Sequence, residues 1–401
     1  MEKKINYDFT NATPREDTNA EKYTLRQKLF GTQDVEPVWV ADMDIDTPQF
    51  VLEAVKKRLE HPVMGYEEVP SSAWQVQIEW MREHHNLEIQ EEELLYSHSV
   101  VASMNVCINA MSEVGEKVIV QTPVYPPFFH SVLENSRELL KNPLKQDGKG
   151  IYRFDSEDLK AKIDKDTKLL LLCSPHNPVG RVWKREELEE ILEICLENDI
   201  VVFSDEIHSD LVYAPNEHIP FSTLSQKAKD ITITALGVGK TFNMAGFAMS
   251  SVYIPNKGLR EKFLKVYTQI HFAQGASLSH VAFEAAYIHG ASWLEQLKVH
   301  LYKNYSDLKE LCEAYPKFIK VIKIEATYLA WLDCRGMQLS NKELREFFIH
   351  DAKLGLNAGL SFGREGSGFM RLNFAVSSVK MSQIIEQLKT ALIVFSLSNN
   401  P

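Results

Sequence analysis

Lys240 stands in "ITITALGVGKTFN" (residues 231 to 243), after an apolar β-like run and two glycines and before a threonine. A lysine so placed can hold a phosphate or form a Schiff base with a carbonyl compound. The glycine-lysine-threonine ending invites the phosphate reading, and "IVVFSDE" (200 to 206) offers an acidic partner on a strand. Other residues with chemistry to offer are Asn177 in "SPHNPVG", Asp205 and His208 in "SDEIHSD", Tyr125 in "TPVYPPF", Arg371 in "FMRLN" and Tyr66 in "MGY". A Walker-type loop needs a further glycine ahead of its lysine, so that backbone N–H groups can curl around the phosphates. That position is Thr234, inside the β-like run, which continues to Gly237 and leaves too short a loop for a triphosphate. The sequence argues against a phosphate-loop nucleotidase.

The elements that must place these residues are legible from periodicity. "KVIVQTP" reads as a strand ending at a proline turn, "KLLLLCSPHNPVG" as a strand entering a turn, and "KREELEEILEICLEND" as an amphipathic helix. "IVVFSDE" and "DITITALG" are two more β-branched runs. Strands apolar throughout and separated by helices call for a parallel sheet covered on both faces. In such sheets ligands gather beyond the carboxyl ends of the strands, where Asn177, Asp205 and Lys240 all fall. "SVVA" (99 to 102) opens a helix-like run, whose free N–H groups at Val100 and Val101 suit an anion. Toward the C-terminus come a long helix ending at Pro316, a strand-like "ATYLAWLDC", a helix around 341 to 352, and "GLSFGREGSGFMRLNFAV". That alternation suits a smaller α+β domain, with the element-poor first 45 or so residues expected to wrap onto it.

Composition bounds the answer. The chain has 401 residues, 44% hydrophobic and 25% charged, enough for a large core and a second lobe. A formal charge of −11 argues against a general nucleic-acid or anionic-membrane surface. No segment nears the roughly 18 consecutive apolar residues of a membrane helix, and the start lacks an apolar stretch of signal-peptide length. The cysteines (Cys107, Cys173, Cys195, Cys312 and Cys334) are odd in number and never spaced C-x-x-C. They read as reduced, buried thiols of a cytoplasmic protein, with little support for a zinc site or any other metal.

A pyridoxal phosphate site asks for an amine, an acid for the ring nitrogen, a donor to the phenolic oxygen, an aromatic lid, phosphate donors and a cation for a carboxylate. Each has a candidate here. The order of "WVADMD", "MGY", "TPVYPPF", "SPHNPVGRVW", "SDEIHSD", "KTFNMAG", "TYLAWLD" and "GFMRLN" resembles the fold-type I pyridoxal-phosphate enzymes of the class I/II aminotransferase superfamily, over nearly the whole chain. It looks most like their cystathionine β-lyase branch, the MalY/PatB-type C–S lyases.

The resemblance implies an α/β fold: a large domain (46–290) with a mostly parallel, seven-stranded-type sheet covered by helices, and a smaller α+β domain from 1–45 and 291–401. It implies that Lys240 links to the cofactor and moves the Cα proton, that Asp205 pairs with the ring nitrogen, and that Asn177 donates to the phenolic oxygen. Tyr125 would stack on the ring, His208 would lie beside the cofactor, and Val100 and Val101 would hold its phosphate. Arg371 would grip the substrate carboxylate in a fork that lysine cannot reproduce. Tyr66 would reach the phosphate and substrate of a neighbouring subunit, implying a homodimer with shared sites. Two departures stand out. Gly237-Val238-Gly239 lacks the hydroxyl residue usual just before the lysine, and Ala248 replaces an arginine that many aminotransferases carry. The second favours elimination over transamination. The expected activity is cleavage of cystathionine or cysteine S-conjugates to thiol, pyruvate and ammonia. An aminotransferase, or a relative kept for binding a regulatory protein, are the alternatives.

Overall fold

The computed structural model describes residues 5–147, 150–271 and 275–399. The chain forms two compact units: Thr47–Asn177 with Arg181–Leu294, and Met1–Asp46 with Pro178–Gly180 and Glu295–Pro401.

The larger unit is built on strands β1 (Leu94–Ser97), β2 (Lys117–Thr122), β3 (Glu138–Pro143), β4 (Thr167–Cys173), β5 (Val201–Asp205), β6 (Thr232–Gly237) and β7 (Ser250–Tyr253). They form one seven-stranded sheet in the order β1-β7-β6-β5-β4-β2-β3. Neighbours from β3 to β6 run parallel, and β7 is antiparallel to both β6 and β1. The central strands are covered on both faces, and all six residues of β6, its threonines included, are buried.

Helices α2 (Val100–Met111) and α6 (Lys257–Gln269) close one face, placing Met104, Cys107 and Phe263 against Val118, Leu171, Phe203 and Val252. Also in this unit are α1 (Ser71–His85), α3 (Pro127–Glu134), α4 (Arg185–Glu197), α5 (Gln226–Ile231) and α7 (Ser277–His289). An aromatic cluster gathers around Phe242, whose ring lies 5.7 Å from Trp80 and 5.9 Å from Trp293. Burying such a ring contributes roughly 2–3 kcal/mol. A side chain at Gly290 would collide with it, since its Cβ would fall 2.3 Å from the Phe242 ring.

The smaller unit carries a four-stranded sheet of β8 (Lys320–Val321), β9 (Leu329–Asp333), β10 (Asn357–Ala358) and β11 (Phe369–Asn373), in the order β8-β9-β11-β10 and antiparallel throughout. The segment expected as a helix around 341 to 352 is α-helical over Asn341–Glu346 and continues as a π turn over Phe347–Asp351. That turn buries Phe347, Phe348 and Ile349 together, which a regular helical repeat would spread around its axis.

The N-terminal segment is tied to this unit by a short parallel ladder, Glu36 beside Leu354 and Pro37 beside Gly355, and by a cluster of buried ions. Lys22, fully buried, reaches Asp42 at 2.9 Å and Asp44 at 3.2 Å, and Arg15 grips the same two carboxylates at 2.7 and 2.8 Å. Lys380 adds contacts to Asp44 at 3.3 Å and Glu36 at 2.8 Å. Burial would raise the Asp44 carboxyl, but Lys22, Lys380 and Arg15 outweigh it and hold the group below its ordinary range.

All five cysteines are free and buried. Among the described residues no helix is long and apolar enough to cross a membrane.

Candidate active site

The turns at the carboxyl ends of β4, β5 and β6 carry three of the chemical candidates. Asp205 is the last residue of β5 and lies in register between Cys173 of β4 and Ala235 of β6. It is 7% exposed, and Oδ1 accepts the Ile207 N–H at 3.2 Å. Among the described residues that carboxylate has no further hydrogen bond and no ion pair in contact. Burial therefore pushes its pKa up to about 7, while the Ile207 N–H and the positive charge of Lys240 pull the other way.

Lys240 follows β6 by three residues and is half-buried. Its turn is closed by Phe242 N–H to Val238 O and Met244 N–H to Gly239 O, both at 3.0 Å. Phe242, wedged into the aromatic cluster, pins the same turn from within. Gly237 has a steric reason: a Cβ there would sit 2.9 Å from the Ser250 Cβ of the neighbouring strand. Position 237 therefore has no room for a side chain, whereas at Gly239, directly before the lysine, a Cβ would meet nothing nearer than 3.5 Å.

Asn177 is buried, and its N–H meets the Cys173 sulfur at 3.5 Å. The adjacent His176 joins this turn to the one bearing Tyr125, through Nε2–H donated to Pro123 O at 2.8 Å. Burial holds His176 neutral by lowering its pKa to about 4. Tyr125 is half-buried against the main core, and His208 is buried in the turn after β5.

Helix α2 starts at Val100 behind the cap Ser99, whose hydroxyl oxygen accepts the Ala102 N–H at 3.2 Å. The Val100 and Val101 N–H groups, first in the helix, have no intrahelical partner and carry the positive end of its dipole.

Arg371 belongs to the smaller unit, on β11 between Trp331 and Asn357. Its guanidinium donates to Trp39 O at 2.8 Å and Asn357 Oδ1 at 2.7 Å, and lies 4.8 Å over the Phe362 ring. The fork is thus oriented by the "WVADMD" segment that the buried ions fix. Tyr66 is 92% exposed and, among the described residues, makes no hydrogen bond within the chain.

Several polar residues near these turns carried no sequence signal. Asp210 and Thr241 are hydrogen-bonded at 2.7 Å, and Asp210 also meets Trp80 and His85 from α1. Glu206 pairs with His218 at 2.9 Å. Asp210 lies inside "SDEIHSD", but its partners are distant in sequence and share no spacing pattern.

A seven-stranded, mostly parallel sheet with a lysine, a buried carboxyl and a helix N-terminus at one edge defines a class. The profile described as aminotransferase class I and II matches residues 40–388, and the chain belongs to that family. Among particular relatives, it is similar to "Cystathionine beta-lyase PatB" of Bacillus subtilis, at 37% identity over 96% of this chain and 99% of that protein. It is also similar to "Protein MalY" of Escherichia coli, at 31% identity over 96% and 99% of the two chains. Among solved structures, cystalysin from Treponema denticola, described as containing a pyridoxal 5'-phosphate cofactor, superposes with a TM-score of 0.94. That match has 35% identity and covers 97% of this chain and 100% of the other.

Proposed function

We propose that the chain is a pyridoxal-phosphate-dependent carbon–sulfur β-lyase acting on cystathionine or a cysteine S-conjugate. The observation that carries the reading is Asp205: a buried carboxyl with a single N–H contact, in the field of Lys240. A protonated ring nitrogen is the cation such a group lacks. The first-turn N–H groups of α2 fit a phosphate dianion for the same electrostatic reason. The residues present therefore fit pyridoxal phosphate, and the C–S lyases among the chain's relatives support the choice.

When bound, the cofactor supplies an electron-poor ring able to accept the electron pair left by Cα deprotonation. The chain's own residues supply the rest. Lys240 would hold the cofactor through its amine and would take the proton from the substrate Cα. Asp205 would keep the ring nitrogen protonated, Asn177 would donate to the phenolic oxygen, and Tyr125 and His208 would lie beside the ring. Val100 and Val101 donate to the phosphate. Arg371 binds the α-carboxylate bidentately and so fixes which bond at Cα faces the base. The net reaction, with water, yields thiol, pyruvate and ammonia.

We further propose a homodimer in which the exposed Tyr66 serves the phosphate and substrate of the other copy. Five free cysteines fit the reducing cytoplasm. The proposed division of labour keeps residues 46–290 for the cofactor.

Two measurements test the reading. Purified protein loaded with pyridoxal phosphate and treated with borohydride should carry the label at Lys240. With L-cystathionine and no keto acid it should release pyruvate. Turnover only with an added keto acid would make it an aminotransferase, and protein without an imine band would leave a partner-binding role.

A further inference from the structure

We propose that Asp210, acting through Thr241, is a positioning residue that holds Lys240 in register with Asp205. The inference rests on the lyase reading above.

Thr241 follows Lys240 directly and is fully buried. Its hydroxyl donates to Asp210 Oδ2 at 2.7 Å, and Asp210 lies five residues beyond Asp205 in the same turn. The tie thus joins the turn that carries the amine to the turn that carries the ring-nitrogen acid. Asp210 Oδ1 is occupied as well, by Trp80 Nε1–H at 2.9 Å and His85 Nε2 at 2.7 Å, both from α1. Three donors from two other elements therefore converge on one carboxylate. Burial opposes its charge, but His85, Trp80 and Thr241 prevail and hold the pKa down to about 2.

A second carboxylate anchors the same turn from its other end. Glu206, next to Asp205, accepts Ser204 Oγ–H at 2.8 Å and the Phe221 N–H at 3.1 Å, and meets His218 at 2.9 Å. The His85 and His218 rings then pack edge-on, 5.6 Å apart. The two residues directly after Lys240 are thereby fixed, Thr241 through its hydroxyl and Phe242 through its ring. An apolar residue at 241 would keep the packing and lose only the tie. That selectivity separates positioning from bulk stability, because an amine displaced by about 1 Å loses on the order of 100-fold in rate.

The test uses the cofactor-loaded enzyme and the variants Thr241→Val, Thr241→Ser and Asp210→Asn. Three quantities are read: kcat, KM for L-cystathionine, and the pH midpoint of the visible imine band. Thr241→Val should lower kcat by roughly 10–100-fold, change KM by less than about threefold, and move the midpoint. Thr241→Ser should restore both, and Asp210→Asn should follow Thr241→Val. If Asp210→Asn does not fold, the Val and Ser pair decides alone. A Thr241→Val enzyme with kcat within about twofold of wild type and an unmoved midpoint overturns the proposal, as does a Ser variant as impaired as Val. A wild-type protein with no imine band overturns the lyase reading and this inference together. A normal wild-type band with unaltered variants overturns the inference alone.

Discussion

Replacing Asp205 by asparagine should make the cofactor-free protein more stable at neutral pH while crippling the loaded enzyme. The carboxyl is buried, and its pKa rises from the ordinary 3.8 to about 7. A carboxyl whose folded pKa exceeds its unfolded one binds more protons in the folded state. Its contribution is favourable below about pH 4 and is lost as pH climbs through 7. The shift spans about three pH units, each worth about 1.4 kcal/mol, so the ionised group costs the cofactor-free fold about 4 kcal/mol by pH 8. Urea unfolding of the cofactor-free wild type should show a decline of about 1.4 kcal/mol per pH unit between pH 4 and 7 from this group. The variant, similar in shape but uncharged, should lack that component. Loading both proteins with pyridoxal phosphate should reverse their order, because the ring nitrogen then offsets the charge. Pyruvate release from L-cystathionine should fall by on the order of 10²–10³-fold, as for loss of a preorganised electrostatic partner. Parallel pH dependence in the two cofactor-free proteins would refute the reasoning.

Arg371→Lys should raise KM for an α-carboxylate substrate by roughly 10–100-fold, because a point charge cannot reproduce the fork that Trp39 O and Asn357 orient; steady-state kinetics would show it. Gly239→Ser should fold normally, since its Cβ would meet nothing nearer than 3.5 Å, and should slow cofactor loss by supplying a hydroxyl beside Lys240. Gly237→Ala, facing Ser250 at 2.9 Å, should instead cost about 1–3 kcal/mol; dialysis followed by absorbance, and urea midpoints, separate the two. Lys22→Met should destabilise the protein by about 3 kcal/mol, because it strips a buried cation from Asp42 and Asp44, as denaturant unfolding would report.

The parallel core of the larger unit was readable because burial on both faces erases alternation. Runs such as "KLLLLC" and "IVVF" can scarcely be anything else. The turns after them were readable for a related reason: polar side chains directly beyond such strands have few structural uses. Strand β7 (Ser250–Tyr253) was hidden, since "SSVY" is as polar as a loop and becomes a strand only by pairing with β1 and β6. Lys22 gave no warning that it would be fully buried, because its neutralising partners, Asp42 and Asp44, lie some twenty residues on. Asp210 is the sharper case. Its partners, His85 and Thr241, are 125 and 31 residues away, and only tertiary packing makes the three a unit. Sequence pattern reports what each element faces; it does not report which polar atoms meet across elements.

The sequestered cysteines bear on a hazard particular to an enzyme that would manufacture thiols. Desolvation pushes Cys195 and Cys312 up to about 12 and raises Cys107, Cys173 and Cys334 above the ordinary thiol range, so none offers a thiolate to solvent. Sulfhydryl compounds released at the site, and any mixed disulfides they form, meet no exchangeable partner on the surface. The catalyst is thereby insulated from its own effluent, and a chromogenic disulfide reagent added to a reaction would register what is made rather than what makes it.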